Sequence, residues 1–293
     1  MPNEAVLASV QVKRLLRQSG LRAKKALGQH FLVDTSVLQT IVQAAELSPD
    51  DTVIEVGSGL GILTAELAKR AGGVIAVELD AKLASLLKHR LASLANLRVI
   101  NTDILKVDTS ELLGGEINYK VVANLPYYIT SPILHYFVVA SPKPSLMVMM
   151  VQKEVGEAIV AGQGKMSLLA VSLQLYSRPR LISYVPSLCF YPQPKVDSVI
   201  VRFDVLPEPA VKVADMKGFF DLVRAGFSSP RKQLHNSLAH SLGIKPAEIE
   251  FLLKKVSIDP KRRAETLSLE EWASLYEVLA RNDKRGNCST VSC

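Results

Sequence analysis

Short apolar runs alternate with amphipathic runs between residues 51 and 198, and this alternation limits the possible folds more than any other feature of the chain. Val- and Ile-rich runs separated by helical stretches are typical of a mostly parallel sheet with helices on both faces. The sequence therefore predicts an α/β domain. Its strand candidates are DTVIEVG (51–57), GGVIAVELD (72–80), LRVINTDIL (97–105), YKVVANLPY (119–127) and LMVMMVQ (146–152).

The pattern changes towards the end of the chain. In residues 186–206, PSLCFYPQPKVDSVIVRFDVL, a Pro-rich turn leads into a long β-branched run, which predicts a hairpin on the sheet edge. After Pro207 and Pro209 only helical patterns follow, such as FFDLVRAGF and SLEEWASLYEVLARN. We therefore expect four parts: a basic arm at 1–24, an α/β domain at 25–206, a small all-α domain at 207–282 and a disordered tail at 283–293.

Composition excludes several classes of protein. Hydrophobic residues make up 48% of the 293 residues, which is enough to bury a core. No apolar run approaches the length of a transmembrane helix and the N-terminus lacks the pattern of a secretory signal, so we expect no membrane partner. The three cysteines have no metal-ligand spacing, so we expect no metal site and no disulfide framework, as in a reducing cytoplasm. They are Cys189, Cys288 and Cys293.

Positive charge is concentrated at the N-terminus of a chain whose net charge is +7. Residues 1–30 contain six Lys and Arg residues against a single acid, Glu4. A basic arm ahead of a nearly neutral domain suggests a polyanionic partner such as a nucleic acid. A solvated helix with one charged face would give the same pattern.

A glycine-rich loop, Gly57-Ser-Gly59-Leu-Gly61, follows the first strand candidate and precedes a helical run. Glycines let the backbone turn tightly and approach a ligand closely. The dinucleotide pattern G-x-G-x-x-G does not match, because the third Gly comes one residue early and Ile62 stands in the last position. This spacing disfavours NAD. An acid, Glu55, two residues before G-x-G-x-G resembles the first motif of S-adenosylmethionine (SAM) methyltransferases.

Two acids at the ends of later strands support a nucleotide-like cofactor. Glu78 ends the second strand candidate about 20 residues after the glycine loop, where a carboxylate accepts hydrogen bonds from ribose hydroxyls. Asp103 ends the third candidate, where a carboxylate would accept from an adenine amino group. Either acid alone fits an ordinary polar strand end. Together with Gly57 and Gly59, in this order along the chain, the two acids indicate a SAM site.

The fourth strand candidate ends in Asn124-Leu125-Pro126-Tyr127. Asn and Pro are common turn residues, but a turn does not explain the aromatic ring. In an amine-methylation site, the Asn124 side-chain oxygen and the Leu125 carbonyl would each accept an N–H of adenine. Pro126 would fix that carbonyl, and Tyr127 would supply a flat face for the base. The adenine must then be single-stranded or flipped out of a duplex.

Four motifs occur in a fixed order, and a resemblance rests on them. They are Lys25-Ala-Leu-Gly-Gln-His30-Phe-Leu32, Glu55-Val-Gly-Ser-Gly-Leu-Gly61, Asn124-Leu-Pro-Tyr127 and Phe190-Tyr-Pro-Gln-Pro-Lys195-Val-Asp-Ser198. From about residue 12 to 280 the chain closely resembles the KsgA-type ribosomal RNA small-subunit adenine dimethyltransferases. The resemblance implies a class I SAM methyltransferase domain with a Rossmann-like sheet, plus a small helical RNA-recognition domain.

The resemblance also implies a reaction and further site residues. The expected reaction is the transfer of two methyl groups to N6 of each of two adjacent adenosines near the 3′ end of 16S rRNA, with a role in small-subunit biogenesis. By position, His30 and Leu32 would line the SAM site with Asn124. Phe190 would stack on the target adenine opposite Tyr127. The residues alone instead favour a core position for Phe190.

Some positions receive no catalytic role. Lys195 is predicted to be a surface charge, and Tyr128 to be a packing residue. The chain departs from the family pattern at five positions, which bears on the RNA-facing surface and not on methyl transfer. They are Ala158, Met166, Ser167, Pro230 and His235.

Two other functions stay open. One is that of the sister family, which dimethylates an adenosine of large-subunit rRNA and causes macrolide resistance. The other is a non-catalytic rRNA-binding assembly factor. Leu125, the FYPQPKVDS segment and the helical tail favour the small-subunit family, and the intact motifs argue against lost catalysis. We expect a monomer in the cytoplasm; a mitochondrial targeting role for the basic arm is the less favoured alternative.

Overall fold

The computed structural model describes residues 4–24 and 27–286 and divides the chain into two compact units. The first contains the chain up to Glu157 together with Ser177–Pro207, and the second contains Ala158–Tyr176 together with the chain from Glu208 onwards. The boundary that the sequence predicts, between residues 206 and 207, lies one residue before the chain passes from the first unit to the second after Pro207. The sequence did not anticipate that residues 158–176 belong to the helical unit, because an amphipathic helix has the same pattern whichever core it packs on.

The first unit begins with a helix and continues with alternating strands and helices. Its elements are α1 (Glu4–Gln18), β1 (Phe31–Leu32), α2 (Thr35–Ala44), β2 (Thr52–Val56), α3 (Ile62–Ala68), β3 (Gly73–Glu78), α4 (Ala81–Arg90), β4 (Leu97–Asn101), α5 (Thr109–Leu113), β5 (Tyr119–Asn124), α6 (Thr130–Val138), β6 (Leu146–Gln152), α7 (Lys153–Val160), β7 (Ser177–Val185), β8 (Phe190–Tyr191) and β9 (Ser198–Val205). Short 3₁₀ turns lie at Ile104–Lys106, Tyr127–Ile129 and Ser187–Cys189. The chain passes to the second unit within α7.

The strands form the mostly parallel sheet that the sequence predicts, in the order β4-β3-β2-β5-β6-β9-β7. Neighbours from β4 to β6 are parallel, and β9 is antiparallel to both β6 and β7. The predicted edge hairpin is thus present as β7 and β9, although its first arm lies before Pro186. All residues of β6 from Leu146 to Val151 are buried, as expected for a strand that is covered on both faces.

The register brings the carboxyl ends of the central strands to one edge of the sheet. Val56, at the end of β2, pairs with Val77 of β3 and with Ala123 of β5. Ligands of open α/β sheets bind outside this edge. A separate antiparallel pair, β1 with β8, places Leu32 opposite Phe190.

The predicted basic arm contains a helix, α1, with an apolar face and a basic face. Val12 and Leu16 are buried in a cluster with Phe31 and Leu60. The exposed basic residues of the helix are Lys13, Arg14 and Arg17. The packing anchors α1 on the first unit while its charge stays available to a partner.

In the described residues, the second unit is built from helices alone: α8 (Leu168–Gln174), α9 (Met216–Phe227), α10 (Leu234–Leu242), α11 (Pro246–Lys255) and α12 (Leu269–Gly286). Its core includes Trp272, which lies so close to Gly226 that a Cβ there would be 2.3 Å from the indole ring. The predicted helices are confirmed. Across residues 4–24 and 27–286, no helix is both long and apolar enough to cross a membrane.

The C-terminal tail differs from its prediction. Residues 283–286, which we expected to be disordered, continue α12. Lys and Arg favour helix, and an ion pair between Arg281 and Glu277 (3.4 Å) stabilises the preceding turn. Residues 287–293, with Cys288 and Cys293, lie outside the described residues.

Three positions that depart from the family pattern have structural roles in the second unit. Met166 is buried. Ser167 caps α8, where its hydroxyl oxygen accepts the N–H of Ala170 (3.1 Å). His235 Nδ1 donates to the carbonyl oxygen of Pro260 (2.9 Å). These side chains therefore contribute to the fold of the helical unit.

Candidate active site

A crevice that is partly open to solvent lies at the carboxyl edge of β2, β3 and β5, and its empty volume, including the solvent at its mouth, is about 1090 Å³. Its walls are the segment 27–32, the glycine loop, the strand ends and residues 124–129. Most of the residues predicted for the cofactor and base sites line it. They are His30, Leu32, Gly57, Gly59, Glu78, Asp103, Asn124, Leu125, Pro126 and Tyr127. Phe190 is not among the lining residues.

The glycine loop follows β2 in a backbone conformation that requires glycine. Gly57, Gly59 and Gly61 have φ angles of 74°, 54° and 76°, in a region that other residues rarely adopt. A Cβ at Gly59 would also lie 3.1 Å from the ring of Phe31. The Gly59 N–H donates to Glu78 Oε2 (2.8 Å), so the carboxylate at the end of β3 holds the loop in place.

Glu78 ends β3 as predicted and is buried. Its Oε1 accepts the N–H of Asp80 (2.9 Å), so each carboxylate oxygen already has one backbone donor. Burial raises the pKa of Glu78. Each oxygen keeps a further lone pair, which fits the expected ribose hydroxyls. Glu78 therefore stabilises the glycine loop as well as lining the crevice.

An ion pair that the sequence did not reveal fastens the N-terminal segment to the end of β3. Lys24 Nζ lies 2.7 Å from Asp80 Oδ2, and the Lys24 N–H donates to Gln29 Oε1 (2.8 Å). Burial alone would raise the pKa of Asp80, but hydrogen bonds from Lys24 and from the Lys82 N–H outweigh it and lower that pKa. Gln29 itself lines the crevice. The pair is distant in sequence, so no local pattern predicts it.

Glu55 lies on β2 and forms part of the crevice wall, yet it is only 2% exposed. Burial raises its pKa to about 8, and the nearby Glu78 carboxylate adds to this effect. The hydroxyls of Thr64 and Ser58 lie near enough to Glu55 to lower this pKa somewhat. Within the described residues, however, neither hydroxyl nor Glu55 Oε2 has a hydrogen bond of acceptable geometry. Buried acceptors normally have donors. A cationic ligand with N–H groups, such as the amino-acid end of SAM, would supply the missing donors and would favour the ionised form of Glu55.

Asp103 lies two residues beyond the last residue of β4, Asn101, and not at the strand end as predicted. It caps the following 3₁₀ turn, where its Oδ1 accepts the N–H of Leu105 (3.1 Å). Its Oδ2 forms a long ion pair with Lys106 Nζ (3.9 Å). That distance is too great for a hydrogen bond, so the oxygen can still accept one from a ligand. The strand end itself is fastened by Asn101 Nδ2, which donates to the carbonyl oxygen of Glu78 (2.8 Å).

Asn124 ends β5, and its amide has a defined orientation. Its Nδ2 donates to the carbonyl oxygen of His30 (3.1 Å), which leaves Oδ1 to accept from a ligand. The His30 ring is fixed by a contact between Nδ1 and the carbonyl oxygen of Pro192 (2.6 Å). The next residue, Leu125, is buried, and its N–H donates to the Met150 carbonyl oxygen (3.2 Å).

Tyr127 follows as a restrained aromatic wall. Its hydroxyl lies 2.8 Å from Ser198 Oγ, and its ring stacks on His30 with centroids 5.6 Å apart and an angle of 24° between the planes. Burial raises the pKa of Tyr127 above its ordinary 10, so the hydroxyl remains a hydrogen-bond donor well above neutral pH. Ser198 is the last residue of the FYPQPKVDS segment, which thereby contacts the Asn-Leu-Pro-Tyr motif.

Phe190 lies on β8 and is 3% exposed. Its ring belongs to a buried core cluster with Leu32 and Cys189. This is the core position that the residues alone favour. Stacking on an adenine, the role that the resemblance implies, would require the ring to leave the core, so the geometry gives that role no support.

Tyr128, predicted to be a packing residue, is 54% exposed and lines the crevice. The ring packs against Gly28, where a Cβ would lie 3.3 Å from Tyr128 Cδ1. Gly28 has a φ angle of 56°, so it too requires glycine. The packing prediction is therefore only partly right.

The fold and this crevice define a class I methyltransferase that uses SAM, because the carboxyl edge of the parallel sheet combines the glycine loop, two acids and an oriented amide acceptor. A family model described as "Ribosomal RNA adenine dimethylase" matches residues 20–281. The chain belongs to this family. It is an enzyme, and SAM is its methyl donor.

Individual proteins with similar sequences or structures are also rRNA or adenosine methyltransferases by name. A "Ribosomal RNA small subunit methyltransferase A" of Dehalococcoides mccartyi is 51% identical over 272 residues, which is 93% of this chain and 94% of the relative. One of Moorella thermoacetica is 44% identical, covering 90% of this chain and 95% of the relative. Among solved structures, a Plasmodium falciparum dimethyladenosine transferase has a TM-score of 0.72 at 25% identity, covering 88% of this chain and 98% of its own. The 23S rRNA methyltransferase ErmE has a TM-score of 0.68 at 29% identity, covering 85% and 99%.

Proposed function

We propose that this enzyme transfers two methyl groups to N6 of each of two adjacent adenosines near the 3′ end of small-subunit (16S) rRNA, and that it serves small-subunit biogenesis. The orientation of the Asn124 amide carries the proposal. Because Nδ2 is engaged by the His30 carbonyl, Oδ1 is the end that faces a substrate donor. An exocyclic adenine amine is such a donor.

The chemistry of the amine explains why the site needs little acid or base strength. The N6 lone pair of adenine is delocalised into the ring, so the free amine is a poor nucleophile. Hydrogen bonds from N6 to Asn124 Oδ1 and to the Leu125 carbonyl would favour a pyramidal nitrogen. SAM supplies an electrophilic methyl group on a sulfonium. Catalysis then rests on positioning and electrostatics.

The side chains of Tyr127 and Asn124 would together hold the target base. Tyr127 offers a flat ring whose tilt is set by Ser198 and His30. An aromatic ring can stack on any base, so Tyr127 alone would not select adenine. The Asn124 amide oxygen would supply the preference for a base with an amino group. The target adenine has to enter the crevice unpaired, because a paired base cannot reach it.

The choice of the small subunit rests on the relatives and not on the fold. ErmE, whose name states a 23S rRNA substrate, has nearly the same fold at 29% identity. The relatives with 43–52% identity carry the name of a small-subunit methyltransferase. We expect the exposed basic face of α1 and the helical unit to contact the rRNA, and the enzyme to act as a monomer in the cytoplasm.

A purely structural role in subunit assembly is the alternative that one variant can exclude. Asn124→Ala should abolish methyl transfer to purified unmethylated small subunits, while binding to those subunits persists. Incorporation of a labelled methyl group and co-sedimentation with subunits measure the two properties. Asn118→Ala, an exposed Asn of the same unit, is the matched control. Full methyl transfer by Asn124→Ala would contradict the proposed role, and lost subunit binding would make Asn124 structural.

A further inference from the structure

Tyr128 has no role in the chemistry described so far, although half of it is exposed beside the base site. It lines the same crevice as Tyr127 but lies on the solvent side, at 54% exposure. Both residues lie in one 3₁₀ turn, Tyr127–Ile129. Consecutive side chains of a 3₁₀ helix diverge by about 120°, so the two rings point in different directions.

Tyr128 packs against Gly28, where a Cβ would lie 3.3 Å from Tyr128 Cδ1, and yet more than half of the residue is exposed. In the part of the chain that the structure describes, no hydrogen bond involves its hydroxyl and no other aromatic ring stacks on it. Tyr127, in contrast, is tied to Ser198 and His30, and Phe190 is buried. Tyr128 is thus an exposed aromatic residue at the crevice whose ring has no stacking partner among the described residues.

An unpaired adenine that enters the crevice leaves its neighbouring nucleotides outside, because the strand must continue in both directions. A neighbouring base that has lost its stacking partner exposes its own flat face. We infer that Tyr128 stacks on the base directly adjacent to the adenine in the crevice and so holds the RNA strand at the entrance. The inference rests on the proposed function, since it requires an unpaired rRNA adenine in the crevice.

Three variants test the role of the ring. Tyr128→Phe keeps the stacking face, and Tyr128→Ala removes it. Tyr184→Ala is the matched control, because Tyr184 is also 54% exposed in the first unit but does not line the crevice. From the usual contribution of one base stacked on an aromatic side chain, we expect Tyr128→Ala to lower kcat/KM for unmethylated small subunits roughly 5- to 150-fold. The loss should come from an increase in KM. Tyr128→Phe and Tyr184→Ala should behave as the unaltered enzyme, and calorimetry should give all variants the same affinity for SAM.

A second substrate locates the base. Small subunits are reconstituted with 16S rRNA whose ligated 3′ segment carries an abasic nucleotide next to one target adenosine. Removal of that base should lower kcat/KM for the unaltered enzyme. The kcat/KM of Tyr128→Ala should be the same on both substrates, because this variant lacks the ring on which the base would stack.

Three results would overturn the inference. The first is an equal kcat/KM for Tyr128→Ala and the unaltered enzyme. The second is a weaker affinity of Tyr128→Ala for SAM that accounts for its lower kcat/KM. The third is an abasic nucleotide that lowers kcat/KM equally for both enzymes. If the unaltered enzyme methylates no small subunits at all, the proposed function fails, and the inference fails with it.

Discussion

Replacing Glu55 with Gln should remove a pH dependence of stability that the buried carboxyl group creates. Burial raises the pKa of Glu55 from its ordinary 4.5 to about 8. Between these pH values the folded protein holds the proton, whereas the unfolded chain has released it. The contribution of Glu55 to folding stability therefore falls as the pH rises from about 4.5 to about 8, and it is constant at higher pH.

The size of the effect follows from the two pKa values. A tenfold change in proton affinity corresponds to about 1.4 kcal/mol, so the increase to about 8 amounts to on the order of 5 kcal/mol. Gln has the same shape and no proton to lose. The difference in free energy of unfolding between Glu55→Gln and the unaltered protein should therefore shift in favour of the variant, by most of that amount, between about pH 5 and about pH 9.

Urea denaturation followed by far-ultraviolet circular dichroism, without SAM, measures this difference. Because Glu55 lies in the first unit, hydrogen exchange at the amides of β2 gives a local measurement, and the amides of α12 serve as an internal reference. Glu111→Gln, an exposed position on α5, is the control and should follow the unaltered protein. Parallel pH profiles for Glu55→Gln and the unaltered protein would refute the argument.

Two further predictions concern the cofactor and the RNA. Glu78→Ala should weaken SAM binding by about 1–3 kcal/mol, because it removes a ribose acceptor and releases the Gly59 N–H; an unchanged affinity in calorimetry would exclude both roles. Substituting Lys13, Arg14 and Arg17 together with Gln, which keeps the packed face of α1, should reduce the slope of log binding constant against log salt for small subunits by about 2. A slope equal to that of the unaltered enzyme would show that this face does not contact phosphates.

Much of the fold was predictable because local patterns determine it. The Val- and Ile-rich runs correspond to β2–β6, and Asn124 and Glu78 end their strands as expected. The rule that ligands bind at the carboxyl ends of parallel strands then brings these side chains to one crevice. The spacing of apolar residues, the polar residues at strand ends and the turn residues depend only on residues that are close in the chain. They can therefore be recognised from the sequence alone.

Features that depend on contacts between distant segments were not predictable. The Lys24–Asp80 ion pair, the pairing of Phe190 with Leu32, and the half-exposed Tyr128 each depend on which segments meet in space. The inclusion of residues 158–176 in the helical unit has the same origin. For Phe190, the apolar residue type indicated the core, whereas the resemblance indicated a base contact that this geometry does not support.

Mass spectrometry of the 3′ region of 16S rRNA tests the central claim most directly. Unmethylated small subunits are incubated with the protein and SAM, and large subunits are treated in parallel. We predict two adjacent N6-dimethyladenosines in the 16S fragment and no new methyl groups in 23S rRNA. Methylation of 23S rRNA alone, or no added methyl group in the 16S fragment, would contradict the account.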